Sequence, residues 1–257
     1  MLKKRIIFTL LYCEGFFVLS RNFNLQKIGN YDWLIKNYNF NNIYKYIDEL
    51  VVLNVSRDKN FKVFNNYCDI LKKISKTCFF PISGGGGVET LDMAKKIFNS
   101  GCEKIVLNSN FVMNKKLVEK IKSNYGAQSI ICSIDIKNQN NKYNIFYSNG
   151  IKIFNKNFRE YLKEISKFGV GELMVNSIDR DGTGHGLDNN ILKFVPKNFN
   201  IPIIFTGGAG HGDHFIEALK DHRINAVATA NLLNFIGNGL ELSRKKVEKK
   251  INLPIWL

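Results

Sequence analysis

The sequence predicts an α/β fold, specifically a (β/α)8 (TIM) barrel built from two similar halves. Short apolar runs rich in β-branched residues alternate with stretches of helical periodicity, which is typical of parallel strands joined by helices. The second half of the chain also repeats strand-end motifs of the first. Glu49-Leu50-Val51-Val52 followed by Arg57-Asp58 returns 123 positions later as Glu172-Leu173-Met174-Val175 followed by Arg180-Asp181. Such a repeat indicates a pseudo-twofold barrel.

The glycine-rich segments follow the same repeat. Gly85-Gly86-Gly87 returns 122 positions later as Gly207-Gly208-Ala209, and each segment lies equally far from the next strand end, at Asn108-Ser109 or Ala230-Asn231. A chain of 257 residues with 45% hydrophobic content can bury one large core. We therefore expect a single domain, residues 1–257, with half-barrels of about 1–124 and 125–257.

Eight strands and an outer ring of helices account for the whole chain. Helical periodicity is clearest over Leu91 to Phe98, Lys115 to Ile121 and Phe158 to Phe168, where apolar residues recur at i, i+3 and i+4. Eight strands favour a closed barrel over an open doubly wound sheet. The strands are expected near residues 5–10, 49–54, 79–83, 104–108, 129–135, 172–177, 202–206 and 225–229.

The net charge of +15 raises the question of nucleic-acid binding, because clustered Lys and Arg residues are typical of phosphate-binding surfaces. Here the lysines are spread along the chain and accompanied by asparagine, which indicates compositional bias more than a patch. An excess of charge bears on solubility and non-specific contacts, not on fold. We therefore expect an anionic small-molecule ligand and no nucleic-acid partner.

The five cysteines are odd in number and lack C-x-x-C spacing, so neither a disulfide framework nor a zinc site is indicated. We expect no metal and no cofactor. The apolar segment after Lys3-Lys4-Arg5 is interrupted by Glu14 and Gly15 and has no cleavage site, and no apolar run reaches membrane-spanning length. The expected location is the cytoplasm, without membrane association.

Two aspartates are candidates for proton transfer at the carboxyl ends of the strands, where barrel enzymes carry their chemistry. Asp135 ends the fifth expected strand, and Asp181 follows the sixth. One carboxyl group could protonate and the other deprotonate a substrate. A simpler interpretation makes Asp181 a turn residue and Asp135 a cap. Their joint position beside two glycine loops favours catalysis.

Two phosphate sites are expected at the glycine loops. Backbone N–H groups there can approach a phosphate closely, and the following helix adds its positive end. Glycines also form tight strand-to-helix turns, but two loops at equivalent places favour a ligand with a phosphate at each end. The candidate phosphate-binding residues are Gly86, Gly87, Asn108, Ser109, Gly207, Gly208, Ala230 and Asn231.

Charged residues begin four of the expected strands. Arg5, Glu49, Lys104 and Glu172 place two cations and two anions at the amino-terminal end of an otherwise apolar cylinder. They could form solvated ion pairs of little consequence, which the sequence alone slightly favours. They could instead form a ring that closes the foot of the barrel.

Nearly the whole chain resembles the cyclase subunit of imidazole glycerol phosphate synthase. The resemblance rests on these segments: Lys4-Arg5-Ile6-Ile7, Asp48-Glu49-Leu50-Val51, Gly85-Gly86-Gly87, Glu103-Lys104-Ile105, Ser133-Ile134-Asp135, Ser177-Ile178-Asp179-Arg180-Asp181-Gly182-Thr183 and Gly207-Gly208-Ala209-Gly210. It implies a barrel that binds a bis-phosphorylated ribulose-imidazole precursor at its mouth. It also implies a heterodimer with a glutamine amidotransferase subunit, which docks at the foot and sends ammonia through the barrel.

The resemblance also implies roles for individual residues. Arg5, Glu49, Lys104 and Glu172 correspond to the family's ammonia gate, which favours the ring over solvated ion pairs. Asp135 corresponds to the second catalytic aspartate of the family, and Asp181 to another active-site aspartate.

Three positions depart from the family pattern. Leu11 stands where the first catalytic aspartate is expected, Leu19 replaces a lysine of the loop that covers the substrate, and Asn54 replaces an aspartate after the second strand. Leucine can neither donate nor accept a proton, so half of the acid/base pair is missing. Losing such a group commonly costs orders of magnitude in rate.

This combination resembles the divergent second copies of the subunit found in surface-polysaccharide gene clusters. The implied role is to pass ammonia to an enzyme that amidates a sugar. Two alternatives remain open: an active cyclase of the lyase type in histidine biosynthesis that uses Asp135 with a substitute acid, and a non-catalytic barrel that only activates its glutaminase partner.

Overall fold

A closed barrel of eight parallel strands forms the centre of the protein, in a computed structural model that describes residues 3–37, 43–58, 60–140, 142–231 and 239–254. Each barrel strand pairs with the next, and the last pairs with the first. The predicted (β/α)8 barrel is thus confirmed. The barrel strands are β1 (Arg5–Cys13), β4 (Glu49–Asn54), β5 (Ile82–Gly85), β6 (Lys104–Leu107), β7 (Ile130–Gln139), β10 (Glu172–Ser177), β11 (Ile203–Thr206) and β12 (Ile224–Thr229).

Two antiparallel hairpins continue from barrel strands at the mouth. β2 (Phe16–Arg21) and β3 (Asn24–Gly29) follow β1, while β8 (Lys142–Tyr147) and β9 (Lys152–Phe154) follow β7. The expected ends of β1 at residue 10 and of β7 at residue 135 were therefore wrong. Both strands run on because their far ends pair with the hairpins, so Leu11 and Asp135 lie within strands.

Helices connect the strands and pack outside the barrel. The predicted helices over 91–98 and 158–168 are confirmed, and the one predicted over 115–121 continues to Tyr125. No helix of the described residues is both long enough and apolar enough to span a membrane. The helices are α1 (Tyr31–Asn37), α2 (Phe61–Ser75), α3 (Leu91–Phe98), α4 (Ser109–Met113), α5 (Lys115–Tyr125), α6 (Phe158–Phe168), α7 (Gly212–Leu219) and α8 (Gly239–Glu248). Short 3-10 helices cover Ile43–Lys45, Ala127–Ser129 and Asn189–Lys193.

The strand registers refine the internal repeat. Leu50 pairs with Ile82 in the first half, and Leu173 pairs with Ile203 in the second. Since Leu50 and Leu173 are equivalent, the glycines align as Gly86 with Gly207, one position away from the alignment expected from the sequence. The positive φ angles of Gly86 and Gly87 and of Gly207 and Gly208 show the same correspondence.

The start of β5 also differs from the expected boundary. We expected it at residue 79, but pairing begins with Ile82, after Pro81, whose carbonyl accepts a hydrogen bond from the Leu50 amide at 3.0 Å. Proline has no N–H to donate to a strand. Phe79 therefore lies outside the sheet and is 92% exposed.

A buried ion pair fastens the last described helix to the foot of the barrel. Arg244 on α8 donates to Asp48 at 3.0 Å and to the carbonyl of Pro254 at 2.7 Å. Asp48 also accepts from the backbone N–H of Ile6 at 2.7 Å. Because both charges are buried and each is hydrogen-bonded, breaking the pair is expected to cost far more than breaking a surface pair.

Candidate functional site

The four charged side chains at the start of the strands meet in a ring at the foot of the barrel. Arg5 donates to Glu49 and, at 2.8 Å, to Glu172, and Lys104 lies 2.5 Å from Glu172 and 3.4 Å from Glu49. Cations and anions alternate, so every charge has two partners of opposite sign. The side chains are only 8–19% exposed, which distinguishes the ring from solvated surface pairs.

The charges of the ring sustain one another. Burial by itself raises the pKa of Glu172, but hydrogen bonds and charges from Arg5 and Lys104 outweigh burial and leave that pKa below its ordinary value. The same partners raise the pKa of Arg5 despite the opposing effect of its burial. Both Arg5 and Glu172 are thus ionised at neutral pH.

Above the ring, the interior of the barrel is apolar. Strand side chains alternate between the barrel interior and the helices, so every second residue faces inward. One buried cluster contains the inward residues, separate from the larger cluster between strands and helices. Its members are Ile7, Val51, Val106, Ile131, Met174, Ile204, Ala226 and Ala228, with Leu53 partly buried beside them. The Thr9 hydroxyl is buried on the inward face of β1 with no hydrogen-bond partner.

Asp135 lies inside the mouth, on the inward face of β7. Asn108 donates to one of its carboxylate oxygens at 2.7 Å, and Asn176 donates to the other at 3.2 Å. Burial raises the pKa of Asp135 to about 6, the two amides oppose the rise, and the negative charge of Asp181 adds to it. A carboxyl group with such a pKa can exchange protons near neutral pH. It is not a helix or loop cap.

Asp181 is held by the first hairpin. It lies in the turn after β10, and its carboxylate accepts from the Ser20 hydroxyl at 2.5 Å and from the backbone N–H of Phe23 at 3.1 Å. Burial raises its pKa, with these two hydrogen bonds opposing the rise. The two aspartates influence each other electrostatically at the mouth, but each carboxylate is hydrogen-bonded to different partners.

The first glycine loop packs tightly against β4. Gly86 and Gly87 have φ angles of +97° and +70°, and a Cβ atom on Gly86 would collide with the Asn54 carbonyl. The two polar residues after β6 bind the protein: Asn108 donates to Asp135, and the Ser109 hydroxyl accepts from Ser148 N–H at 2.9 Å. Close backbone packing thus requires glycine at position 86 even without a ligand.

The second glycine loop lines a pocket at the mouth. Gly207 and Gly208 have φ angles of +93° and +102°, and a Cβ atom on Gly208 would collide with the Gly186 carbonyl. Asn231 in the pocket wall donates to the Ser20 carbonyl at 3.1 Å. The whole lining comprises Asp181, Gly182, Gly184, Thr206, Gly207, Gly208, Ala209, Ala228, Thr229, Ala230 and Asn231.

The three positions that depart from the family pattern are all near the mouth. Leu11 pairs with Leu53 on one side and Val18 on the other, so an apolar side chain stands on the inward face of β1. Leu19 lies in the covering hairpin, opposite Gln26. The side chain of Asn54 accepts from Ser56 N–H at 3.2 Å. None of the three offers an ionisable group.

Sequence reasoning missed Asn176 and Ser20. Asn176 pairs directly with Asp135 across β7 and β10, and correct strand registers would have revealed it. Ser20 reaches Asp181 across 161 residues through the hairpin, and no sequence pattern indicated that contact. The described residues contain no group of three or more His, Cys, Asp and Glu side chains arranged to hold a metal ion.

Comparison with known proteins decides the family. Residues 34–237 match the model of the histidine biosynthesis protein family. The chain belongs to this family. A relative from Parasynechococcus marenigrum, provisionally named imidazole glycerol phosphate synthase subunit hisF2, is 42% identical over 100% of this chain and 95% of its own.

Further relatives carry similar names. The imidazole glycerol phosphate synthase subunit HisF of a Hydrogenobaculum strain is 32% identical over 80% of this chain and 77% of its own. A Pseudomonas aeruginosa protein, again provisionally named hisF2, is 34% identical over 75% of this chain and 76% of its own. The resemblance inferred from the motifs is therefore confirmed: the chain is a HisF-like barrel, similar to both HisF and hisF2 proteins.

Proposed function

We propose that this chain acts like the barrel subunit of imidazole glycerol phosphate synthase: it receives ammonia from a glutamine amidotransferase at its foot and delivers it at its mouth. The observation that carries the proposal is the buried ring of Arg5, Glu49, Lys104 and Glu172. Burying four charges is costly, and apolar residues would stabilise a barrel end as well or better. A ring at the foot of the barrel, where its axis opens, therefore supports a role as a gate. The partner forms a heterodimer with the chain by covering this entrance.

The apolar interior selects the form of nitrogen that passes. Ammonium is charged, and moving a charge into surroundings such as Ile7, Val51 and Met174 without partners costs many kcal/mol. Neutral ammonia pays a far smaller penalty. The ring would retain the proton-bearing form at the foot, while the unpartnered hydroxyl of Thr9 offers a neutral hydrogen bond further along the interior. Ammonia would reach the mouth beside Asp135.

The mouth supports a divergent role rather than ordinary cyclisation. Cyclisation in this family is assigned to two carboxylates, and here only Asp135 is present because Leu11 occupies the other position. We place the chain in the cytoplasm as a paralogue that supplies ammonia for amidation of a surface-polysaccharide sugar. Its two glycine loops would bind a bis-phosphorylated ligand, with Gly86, Gly87, Asn108 and Ser109 at one end. Gly207, Gly208, Ala230 and Asn231 would bind the other end.

One observation favours a second candidate, an active cyclase (lyase) of histidine biosynthesis. Asp135 keeps a pKa of about 6, and a pKa near the working pH favours general acid/base catalysis. Asp181 would then have to act as the substitute acid. It is held by Ser20 and Phe23, which makes it a poorer candidate for that role.

The proposal is tested by purifying the chain with each glutamine amidotransferase encoded in the same genome. We expect one of them to form a heterodimer and to hydrolyse glutamine faster in the complex, while the histidine precursor is consumed slowly. No association with any amidotransferase would contradict the proposal. Rapid precursor consumption would favour the cyclase. Faster glutamine hydrolysis in which no ammonia reaches the mouth would favour a non-catalytic barrel that only activates its glutaminase partner.

A further inference from the structure

The fold gathers exposed lysines at the foot of the barrel, although lysine is spread along the sequence. In a (β/α)8 barrel the segments that lead from each helix into the next strand all meet at this end. Here these segments cover residues 3–4, 43–48, 72–81, 99–103, 122–129, 166–171, 194–202 and 220–223. Among their described residues, the exposed charges are eight lysines and one acid, Glu103. The foot lysines are Lys3, Lys45, Lys72, Lys73, Lys76, Lys167, Lys197 and Lys220.

The buried charges at the foot cancel one another, so the foot lysines set its sign. The ring itself holds two cations and two anions in mutual contact. Outside the ring, Asp48 is paired with Arg244 at 3.0 Å, and Asp221 is paired with Arg223 at 2.6 Å. The face around the ring is therefore strongly positive.

The helix macrodipole accounts for only part of this concentration. Lysine complements the negative end of a helix, which suits Lys72 and Lys73 in the last turn of α2 and Lys167 in the last turn of α6. Lys3 precedes the first strand and Lys197 lies in a turn, so neither ends an α-helix. Like charges gathered on one face repel one another. A partner of opposite sign relieves that repulsion.

The foot also has the composition of a docking face. Phe79 is 92% exposed and lies three positions after Lys76, in the segment that leads into β5. Interfaces commonly combine aromatic residues at the centre with a polar rim. Charges on the rim act mainly on the rate at which two proteins meet, and they suppress partners of the wrong sign. This arrangement fits an acidic protein surface.

We propose that the foot lysines select a glutaminase partner whose docking face is acidic, and that they attract this partner before contact. The inference rests on the proposed function for the class of the partner and adds the charge that the partner must carry. A charge acts over a Debye length of roughly 8 Å at physiological salt, so lysines that share one face act together on an approaching protein. Phe79 then contributes to holding the complex, and the lysines contribute to the rate of its formation.

The test measures association of the full chain with the amidotransferase that binds it, by surface plasmon resonance at about 50 mM and about 500 mM NaCl. The foot variant replaces three of the foot lysines: Lys72→Glu, Lys76→Glu and Lys197→Glu. The mouth variant is the matched control and replaces three exposed lysines of the other end: Lys62→Glu, Lys142→Glu and Lys152→Glu. Both variants lower the net charge of +15 by the same amount, so only the position of the change differs.

At the lower salt concentration the foot variant should associate about tenfold more slowly than wild type, because electrostatic attraction raises association rates by about 10- to 1000-fold. The mouth variant should stay within about twofold of wild type, and dissociation of the foot variant should change less than its association. At the higher salt concentration all three proteins should associate at similar rates. Glu103→Lys should speed association, which is a gain that structural damage does not produce.

Equal slowing in the foot and mouth variants, or wild-type association that does not depend on salt, would overturn the inference while the glutaminase partnership stands. No association with any amidotransferase would overturn both the inference and the proposed function. A DNA duplex bound at the foot of wild type, and not at that of the foot variant, would then identify nucleic acid as the partner instead.

Discussion

Asn176 donates a hydrogen bond to Asp135 at 3.2 Å across the paired strands β7 and β10. Asn108 donates to the other carboxylate oxygen, so both oxygens of Asp135 accept hydrogen bonds from uncharged amides. No cation offsets the burial of this carboxylate among these contacts, and its pKa is raised to about 6. The chain thus keeps one proton-exchanging group at the mouth although its expected partner is Leu11.

Asp135→Asn should stabilise the protein at neutral pH. Because the native pKa of about 6 lies above the unfolded value, the native state binds the extra proton, and the free energy of unfolding falls as pH rises from about 4 to about 6. The variant lacks this loss, so it should be more stable than wild type by about 1–3 kcal/mol at pH 7. Urea unfolding at pH 4 and pH 7 measures the difference.

The same experiment has a clear contrary result. The advantage of Asp135→Asn should shrink towards pH 4, where the wild-type carboxyl group is protonated in the native state. A difference that stays constant with pH would show that the pKa of Asp135 is not raised. Asp179→Asn is a suitable control, because the Asp179 carboxylate accepts a hydrogen bond from the exposed backbone N–H of Asn138 and is not enclosed in the mouth as Asp135 is.

Glu172→Gln should destabilise the protein by breaking the ring. Removing one partner of a buried ion pair commonly costs about 3–5 kcal/mol. The native pKa of Glu172 is lowered, so its contribution is present above the unfolded pKa and is lost as pH falls through the native value. The difference from wild type should therefore narrow below about pH 4. Chemical unfolding at pH 7 and pH 3.5 tests this.

Glu103→Gln is the matched control for the ring. Glu103 directly precedes Lys104 at the same end of the barrel but is exposed. Its replacement should change the free energy of unfolding by less than about 0.5 kcal/mol. Equal effects of the two substitutions would mean that the ring behaves as ordinary surface charge.

Phe79→Ala should weaken binding of the proposed glutaminase partner. Phe79 is 92% exposed beside the start of β5, at the end of the barrel where the ring lies. Large aromatic residues at the centre of an interface commonly contribute about 2 kcal/mol or more to binding, which is roughly thirtyfold in affinity. Phe61→Ala is the control, because Phe61 is 60% exposed at the mouth end of α2. Calorimetric titration with the partner should separate the two variants; equal affinities would place the interface elsewhere.

Leu11→Asp should restore part of the cyclase activity. The substitution returns a carboxyl group to the inward face of β1. A general acid or base commonly raises the reaction rate by roughly 10²- to 10⁴-fold. Recovery should be partial, because Leu19 and Asn54 still differ from the family pattern. Precursor turnover with external ammonia measures it. Leu11→Asn controls for polarity, and an equal gain in that variant would rule out proton transfer as the cause.

The sequence was sufficient to predict the barrel because its signals are local and repeated. Apolar strands with polar ends recur at regular spacing. The charged residues that begin four strands slightly favoured solvated ion pairs by themselves, and the family resemblance favoured the ring that the structure brings together. The first hairpin was missed because Gly15 and the Asn22-Phe23 tip carry no Asn-Gly or Asp-Gly turn signal. The second hairpin does carry such a signal, Asn149-Gly150, which sequence reasoning overlooked. The contact between Ser20 and Asp181 depends on how a hairpin folds back over the mouth, which strand periodicity does not encode.

The central proposal, that this barrel works with a glutaminase without ordinary cyclisation, is tested most directly by one ratio. The purified heterodimer is supplied with glutamine and the bis-phosphorylated precursor, and glutamine hydrolysed and precursor cyclised are measured in the same reaction. We expect glutamine hydrolysis to be stimulated while nearly all the ammonia is recovered free, because Leu11 leaves Asp135 without its partner. Cyclisation of one precursor for each glutamine hydrolysed would contradict the account and assign the chain to histidine biosynthesis.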